Sequence, residues 1–266
     1  MLLNWYSDYN NSDRWYLWCH LSRLTCLFFF LKLSAISAQP LDTVKLNAVT
    51  ENLPPYQIVK DNQLIGGSSY FLVKELLQRA GYQVNFQVLP WARAYYIAEH
   101  QANVVIFSMT RSSAREHKFK WIGQLRELTY SFYGVKKDDS IIINSIDDAR
   151  LLTVVAVRNS FEAQSLIQKG FIVDQNLILV KNYQLAWQML HKGRADLTYA
   201  NALVAEQINK SFRIQHTPFF KQPFEVENNA LYIAASLKTS DTIVEKLSLV
   251  LNDIKNDGTF YQINNP

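Results

Sequence analysis

The sequence predicts an α/β protein of two lobes, and three observations carry that expectation. Short apolar stretches of strand character alternate with stretches of helical periodicity along most of the chain. A polar, charged stretch, Lys136 to Asp139, separates one such series from a second. With 48% hydrophobic and 19% charged residues among 266, the chain can bury a sizeable core and lacks the charge bias of a disordered segment.

The elements follow in order. Val44, Leu46 and Ala48 alternate with polar neighbours, as a strand with one buried face requires. Gly66-Gly67 then opens a helix whose Val73, Leu76, Leu77 and Ala80 share a face, and Gly81 stops it. Val84, Phe86 and Val88 alternate again; a helix through Arg93 to Glu99, a strand Val104 to Phe107 and a strand near Tyr130 to Val135 complete the first series. The second series predicts strands at Val154 to Val157, Leu177 to Val180 and Leu197 to Tyr199. Its helices run from Phe161 to Lys169 and from Tyr183 to Lys192, closed by Gly170 and Gly193. Ala230 to Ala235 is apolar once more, and a last helix aligns Ile243, Leu247, Val250, Leu251 and Ile254 before Gly258. Strand-helix-strand alternation implies a largely parallel sheet with helices packed on it.

The first 38 residues differ in kind. Arg23 precedes the apolar run Leu24 to Leu33, and small residues Ser34 to Ala38 follow, the order of a secretory leader cleaved after Ala38. Arg23 and Lys32 bracket fewer residues than the roughly 20 needed to span a bilayer, which disfavours an anchor. Both cysteines, Cys19 and Cys26, fall in this leader, so the mature chain is expected to hold no disulfide, thiolate metal site or cysteine nucleophile. The expected location is the periplasm of a Gram-negative cell.

Composition and motif spacing exclude several functions. A net charge of +4 without a basic run or aromatic-basic interleaving argues against nucleic acid as a partner. The histidines at 20, 100, 117, 191 and 216 show no metal-ligand spacing, and no GxSxG elbow or GxxxxGK phosphate loop occurs, so no cofactor or metal is expected.

Three stretches together resemble the family 3 extracellular solute-binding proteins, the periplasmic amino-acid-binding type. They are NLPPYQI with LIGGSSYFLVKELLQRAG from Asn52, LPWARAYYIA from Leu89 running into SMTRSSAREHKFKWIG, and HKGRADLTYANALVAE from His191 with the C-terminal NDGTFYQI. The resemblance implies a type II periplasmic-binding-protein-like fold with two hinge crossings and a central cleft. It places lobe 1 at 39–135 plus 229–266 and lobe 2 at 136–228, with crossings near Gly134 to Asp138 and Glu225 to Leu231. It also implies a monomer that closes over a small carboxylate-bearing solute for an ABC permease or a receptor.

The same resemblance assigns the site. Ser108, Thr110 and Arg115 match the pattern in which hydroxyls and an arginine receive a ligand carboxylate, and a guanidinium offers such a group a fixed fork of donors. Tyr56 and Trp91 stand where aromatic rings line the cleft; Arg93 either faces it or pairs on its helix. Arg158, Ser160 and Phe161 align with the loop that closes at a helix N-terminus, where Ser160 either caps the helix or meets the ligand. Asn201 departs from the family, which commonly has an aspartate there for an α-ammonium. That role would then pass to Glu51 or Glu225, or the solute would lack a standard zwitterion, while Asp196 is expected to be structural. Two rival functions remain: a ligand-sensing module acting through a separate membrane receptor, and a cyclohexadienyl dehydratase-like lyase, for which Glu51, Glu162 and Glu225 are the carboxyls able to serve as acid.

Overall fold

The computed structural model describes residues 44–135, 142–212 and 219–265. The expected leader, with Cys19 and Cys26, and the charged stretch from Lys136 to Asp139 lie outside them.

In the first series, β1 (Lys45–Thr50) is followed by a two-stranded hairpin, β2 (Ile58–Lys60) and β3 (Gln63–Gly66), and then by α1 (Ser68–Arg79), whose Leu72, Val73, Leu76 and Leu77 are buried. Next come β4 (Gln83–Val88), α2 (Trp91–His100), β5 (Val104–Thr110) and β6 (Phe119–Val135). The second series runs α3 (Ile146–Arg150), β7 (Val154–Val157), α4 (Phe161–Gln168), β8 (Leu177–Val180), α5 (Tyr183–His191), β9 (Leu197–Asn201) and α6 (Ala202–Phe212). The chain then returns through β10 (Phe219–Ser236) and ends in α7 (Asp241–Asn256) and α8 (Thr259–Asn264).

All strands but the hairpin join one sheet in the order β4-β1-β5-β10-β6-β9-β7-β8. Its two wings, β4-β1-β5 and β9-β7-β8, are parallel, as the alternation predicts. The centre is antiparallel: β10 pairs with β5 through Leu231–Ala235, β6 pairs with β9 through Tyr130–Tyr133, and β6 and β10 pair with each other along their length. Each wing is therefore a separate parallel unit, and only the β6–β10 ribbon belongs to both. Gly134, in the first expected crossing, lies beyond the β6 residues that already pair with β9.

The sequence reading sees only the ends of β6 and β10, which are in fact 17 and 18 residues long. Register shifts between Lys221/Glu225, Glu225/Glu227, Leu231/Tyr232 and Ile233/Ala234 interrupt the two-residue period by which a strand is recognised. Charged residues at Lys120, Arg126 and Glu127 further obscure the pattern.

Two apolar clusters fill the layers. One packs α1 and α7 on the first wing, where Leu76, Leu77, Leu247 and Leu251 are buried beside Val105 and Phe107. The other runs from Val49 and Trp91 through Tyr130 and Phe132 to Trp187 and Leu197, so it is continuous from one wing to the other. Burying each such large side chain contributes about 1.5–3 kcal/mol.

Gly67 fixes how the β1–β2 segment meets α1. Its φ of 109° is one that L side chains rarely adopt, and an added Cβ would stand 2.3 Å from the Tyr56 carbonyl oxygen. Gly67→Ala is therefore expected to destabilise the fold by more than the about 1–3 kcal/mol of backbone strain alone, because the Tyr56 segment must also shift. Chemical denaturation measures this; an unchanged midpoint would show that the close approach does not matter.

Candidate functional site

Parallel strands leave their carboxyl ends as a row of short loops, and a crevice forms where two such rows face each other. Here β1 leads into Glu51, β4 into Trp91, β7 into Asn159 and Ser160, and β8 into Tyr183, while β5 ends at Thr110 and β9 at Asn201. These ends converge on one pocket lined by Glu51, Leu53, Trp91, Ser108, Thr110, Arg115, Tyr130, Ser160, Phe161, Glu162, Tyr183, Asn201 and Leu231.

Arg115 is held by the turn after β5 and is 1% exposed. Its Nη1 donates to the Thr110 carbonyl at 2.9 Å and its Nη2 to the Asn159 carbonyl at 3.0 Å. The rings of Trp91 and Tyr95 lie 5.5 and 5.4 Å from the guanidinium carbon. Burial lowers its pKa, but an arginine starts so far above neutrality that it stays charged. Its Nε is buried without a hydrogen-bond partner. A fixed cation with an unused donor is what a carboxylate oxygen needs.

Ser108 reaches the pocket through a bulge. Tyr232 pairs with Met109 and Ile233 with Phe107, so Ser108 is the extra residue, and its φ of 58° lies in the left-handed region. A bulge in that conformation re-aims a side chain out of the strand's alternation. The Ser108 hydroxyl receives a hydrogen bond from Gln57 Nε2, and the Thr110 hydroxyl bonds that of Tyr130 at 2.9 Å.

From the other wing, Asn159 is also left-handed, at φ 61°. This turns its carbonyl toward the first wing, where it accepts from Trp91 Nε1 at 2.8 Å as well as from Arg115. Ser160 caps α4, accepting from Ala163 N at 3.1 Å, and still lines the pocket. Glu162, in the first turn of α4, accepts from the Tyr183 hydroxyl at 2.7 Å.

Asn201 Oδ1 accepts from the Tyr56 hydroxyl at 3.0 Å and from Val204 N at 3.1 Å. The backbone N–H can only donate, so this atom is the carbonyl oxygen, and both its lone pairs are taken. What Asn201 has left is donors. Tyr56 lies behind the lining, tying the β1–β2 segment to the end of β9.

Two carboxyls share the pocket. Burial pushes Glu51 well above the usual carboxylate range, and the charge of Glu162 adds to this while Arg115 partly offsets it. Burial also raises Glu162, and the Tyr183 hydrogen bond opposes the shift. Glu51 is 6% exposed, and no hydrogen bond or ion pair from a described residue reaches its carboxyl.

The structure thus brings Glu51, Trp91, Ser108, Thr110, Arg115, Ser160, Phe161 and Asn201 to one pocket, with Tyr56 just behind. It does not bring Arg93 or Arg158 there. Both are exposed, and the Arg93 guanidinium carbon lies 5.8 Å from the ring centre of Tyr96 on its own helix. Asp196 accepts from Thr153 N at 2.8 Å, a structural contact; the Glu225 side chain lies outside those described. The sequence reading missed Leu53, Tyr130, Tyr183 and Leu231, and took Glu162 only as the acid of a rival enzyme. Only Tyr183 carried a usable signal: like Phe161, it opens a helix directly after a parallel strand.

The cavity itself holds about 20 Å³, little more than one water molecule. Asn159 pinches it by drawing the second wing onto Trp91 and Arg115. A cavity of that size has no room for a solute larger than water. A larger, open hollow of about 520 Å³ lies along the β6–β10 ribbon beside Glu127 and Asn228, without a cation or a buried carboxylate.

A carboxyl whose pKa is raised by folding holds its proton more tightly in the native state, so stability falls as pH rises from the unfolded toward the folded value. Glu51→Gln is therefore expected to melt like the wild type near pH 4 and increasingly above it toward pH 8, because it escapes that loss. A variant less stable at every pH would show that Glu51 is held by a partner in its charged form.

Several solved structures share this fold. A histidine kinase sensor domain with similarity to periplasmic binding proteins aligns over 84% of this chain and 94% of its own, at 16% identity and a TM-score of 0.73. The arginine-, lysine-, histidine-binding protein ArtJ of Geobacillus stearothermophilus aligns over 83% and 94%, at 13% identity and a TM-score of 0.73. An ancestral arginine-binding protein bound to arginine aligns over 82% and 96%, at 22% identity and a TM-score of 0.70. Identities this low speak to the fold, which is the two-lobed type II arrangement of periplasmic binding proteins. No curated protein matches the chain. The family match itself extends over residues 46–266, from β1 to the end of the chain, and by it the protein belongs to the bacterial extracellular solute-binding proteins, family 3.

Proposed function

We propose that the protein captures a small amino-acid-like solute by its carboxylate, on Arg115, in the cleft between two lobes that close over it, and presents the closed form to an inner-membrane ABC permease. The observation that carries this reading is Arg115: charged, 1% exposed, with its Nε unpartnered and its guanidinium already touching a carbonyl from each wing. The hydroxyls of Ser108 and Thr110 stand beside it to satisfy the remaining carboxylate lone pairs. Arginine-binding relatives of the same fold support an amino-acid-like ligand.

Closure needs no catalytic group. It is a population shift toward whichever lobe arrangement the solute bridges. We place the second crossing where β10, still paired with β6, begins to pair with β5 as well, at Glu227–Leu231. The first we place near Leu128–Tyr130, where β6 begins to pair with β9 and ahead of Gly134. The family and its neighbours here are mostly binding proteins, and the reading has no enzymatic step; its setting is the periplasm. A second reading, solute sensing for a membrane receptor, is favoured by the fold match to a histidine kinase sensor domain.

Losing one partner of a desolvated charge pair costs about 2–5 kcal/mol, or roughly thirtyfold to several-thousandfold in affinity. Arg115→Ala is expected to lose binding by at least that lower factor, and Arg115→Lys, which keeps the charge without the fork, by somewhat less. Titration calorimetry against a panel of amino acids and small organic acids reads this, with circular dichroism to verify folding. Unchanged affinity in both variants would remove Arg115 from the site.

A further inference from the structure

One cluster of charged and hydroxyl side chains lies outside the pocket yet touches both the ribbon and a wall of the cleft. Its centre is Glu227, at the start of the stretch of β10 assigned to the second crossing. Glu227 Oε1 accepts from the Ser165 hydroxyl at 2.7 Å, from the Tyr199 hydroxyl at 2.7 Å and from Lys169 Nζ at 3.4 Å. Lys169 also donates to the Ser165 oxygen at 2.8 Å, so its charge reaches the carboxylate both directly and through the hydroxyl. Burial alone would raise the Glu227 carboxyl, but the bonds from Ser165 and Tyr199 and the charge of Lys169 outweigh it and hold the group below the usual carboxylate range. Tyr199, pushed up by burial, keeps the proton it donates. Neither Glu227 nor any of its three donors lines the pocket. An exposed ion pair contributes little, whereas donors sharing one partly buried carboxylate make a stronger joint.

All the donors belong to the second wing: Ser165 lies in α4, Lys169 ends that helix and Tyr199 lies in β9. Glu227 itself belongs to the ribbon. β10 slips register against β6 between Glu225 and Glu227 and again between Leu231 and Tyr232, while from Glu227 to Leu231 the residues pair in step with Tyr130 to Arg126. That stretch is a regular strut between two irregular joints. Its far end, Leu231, pairs with Thr110 of β5 and lines the pocket. Its near end is pinned to the second wing by the carboxylate. In turn, α4 carries pocket residues at its start, with Ser160 capping it and Phe161 and Glu162 opening it, about one turn before Ser165. The Tyr199 ring packs on that of Tyr130, another lining residue, at 5.4 Å.

We propose that Glu227 is a positioning residue for solute binding: from the second crossing it holds α4, and with it the second-wing wall of the pocket, to the ribbon, so that bending of β10 carries that wall as one piece. The inference goes beyond the proposed function. It rests on closure of the two wings, but neither on Arg115 nor on which solute is taken. Without the carboxylate charge, the C-terminal half of α4 is released from the strut, and closure has to order a wall that is otherwise already in place. A ligand then loses part of its binding free energy to that ordering. Affinity is therefore set partly by a group that no solute touches.

The test combines hydrogen exchange and calorimetry on wild type, Glu227→Gln, Tyr199→Phe and the double variant, with melting to verify that each folds. Glu227→Gln keeps the size and an accepting oxygen without the charge; Tyr199→Phe removes one donor and keeps the ring on Tyr130. In solute-free Glu227→Gln the backbone amides of Ser165 to Lys169 are expected to exchange at least about tenfold faster, with those of α1 and α7 unchanged. With L-arginine and L-glutamine as probes, each single variant weakens binding about tenfold. The double variant loses little more than the larger single loss, because both changes act on one joint. Unchanged exchange in α4, or an equal rise in α1 and α7, would overturn the inference. Faster exchange in α4 with unaltered affinity would do so too, since a merely structural role moves exchange and melting alone, and so would additive losses in the double variant. Failure of both probes on the wild type overturns the amino-acid reading alone; the exchange experiment, which uses no solute, then upholds or overturns the anchor.

Discussion

A guanidinium removed from water needs partners for its charge and donors, and most of this site is arranged to supply them while leaving Nε free. Arg115 gets one carbonyl from its own strand end, Thr110, and another from Asn159 on the far wing. Trp91 and Tyr95 supply aromatic faces, which attract a desolvated cation with about 2 kcal/mol or more. The second carbonyl is available only because Asn159 adopts a left-handed backbone, which asparagine tolerates better than most residues. One peptide unit thereby bonds the second wing to both Trp91 and Arg115 of the first. The pinched cavity, the indole contact of Trp91 and the position of α4 all follow from where that carbonyl points.

The ribbon of β6 and β10 gives this coupling its freedom. Parallel wings are rigid because helices cover their faces; an antiparallel ribbon with repeated register shifts is more easily bent and twisted. The sheet joins the two wings only through such strands, and on the proposed reading the bulges concentrate the change of closure at a few residues. The apolar cluster that runs through Tyr130 and Phe132 limits the motion, since those rings pack on Phe161 and Tyr199 of the second wing.

Much of this was legible in the chain itself. Glycine stops and apolar periodicity located the covering helices α1, α4, α5 and α7, and short apolar runs located the parallel strands. The cation came from the stretch around Arg115, whose spacing from Ser108 and Thr110 resembles a known pattern. What was illegible came from non-local pairing. Nothing near Tyr130 says that it will meet Thr110, because a register 20 residues apart is set by strand pairing and not by local pattern. The bulge that turns Ser108 into the pocket arises from how β10 matches β5. Arg93 and Arg158 each stand two residues from a lining residue, Trp91 or Ser160, yet two steps along a helix turn a side chain about 200° away, and the left-handed Asn159 between Arg158 and Ser160 breaks the strand's alternation.

On the proposed reading, closure by a solute is a competition for the same donors. A carbonyl such as that of Asn159 offers Arg115 a single charge-assisted hydrogen bond, worth about 1.5–3 kcal/mol. A carboxylate offers a bidentate pair and neutralises the charge, which is stronger in a buried setting. A solute shifts the lobe equilibrium only by the difference between its affinities for the open and closed arrangements, so displacing Asn159 from Arg115 while keeping Trp91 in place would leave a net gain for closure. The two donors at Asn159 have separate consequences. The indole bond holds the second wing near the first whatever the guanidinium does, and the guanidinium bond is the part that the proposed solute carboxylate would replace. On the proposed reading such a pocket need not be prised open at random: the contact that draws its walls together is chemically similar to, and weaker than, the one a solute carboxylate would make.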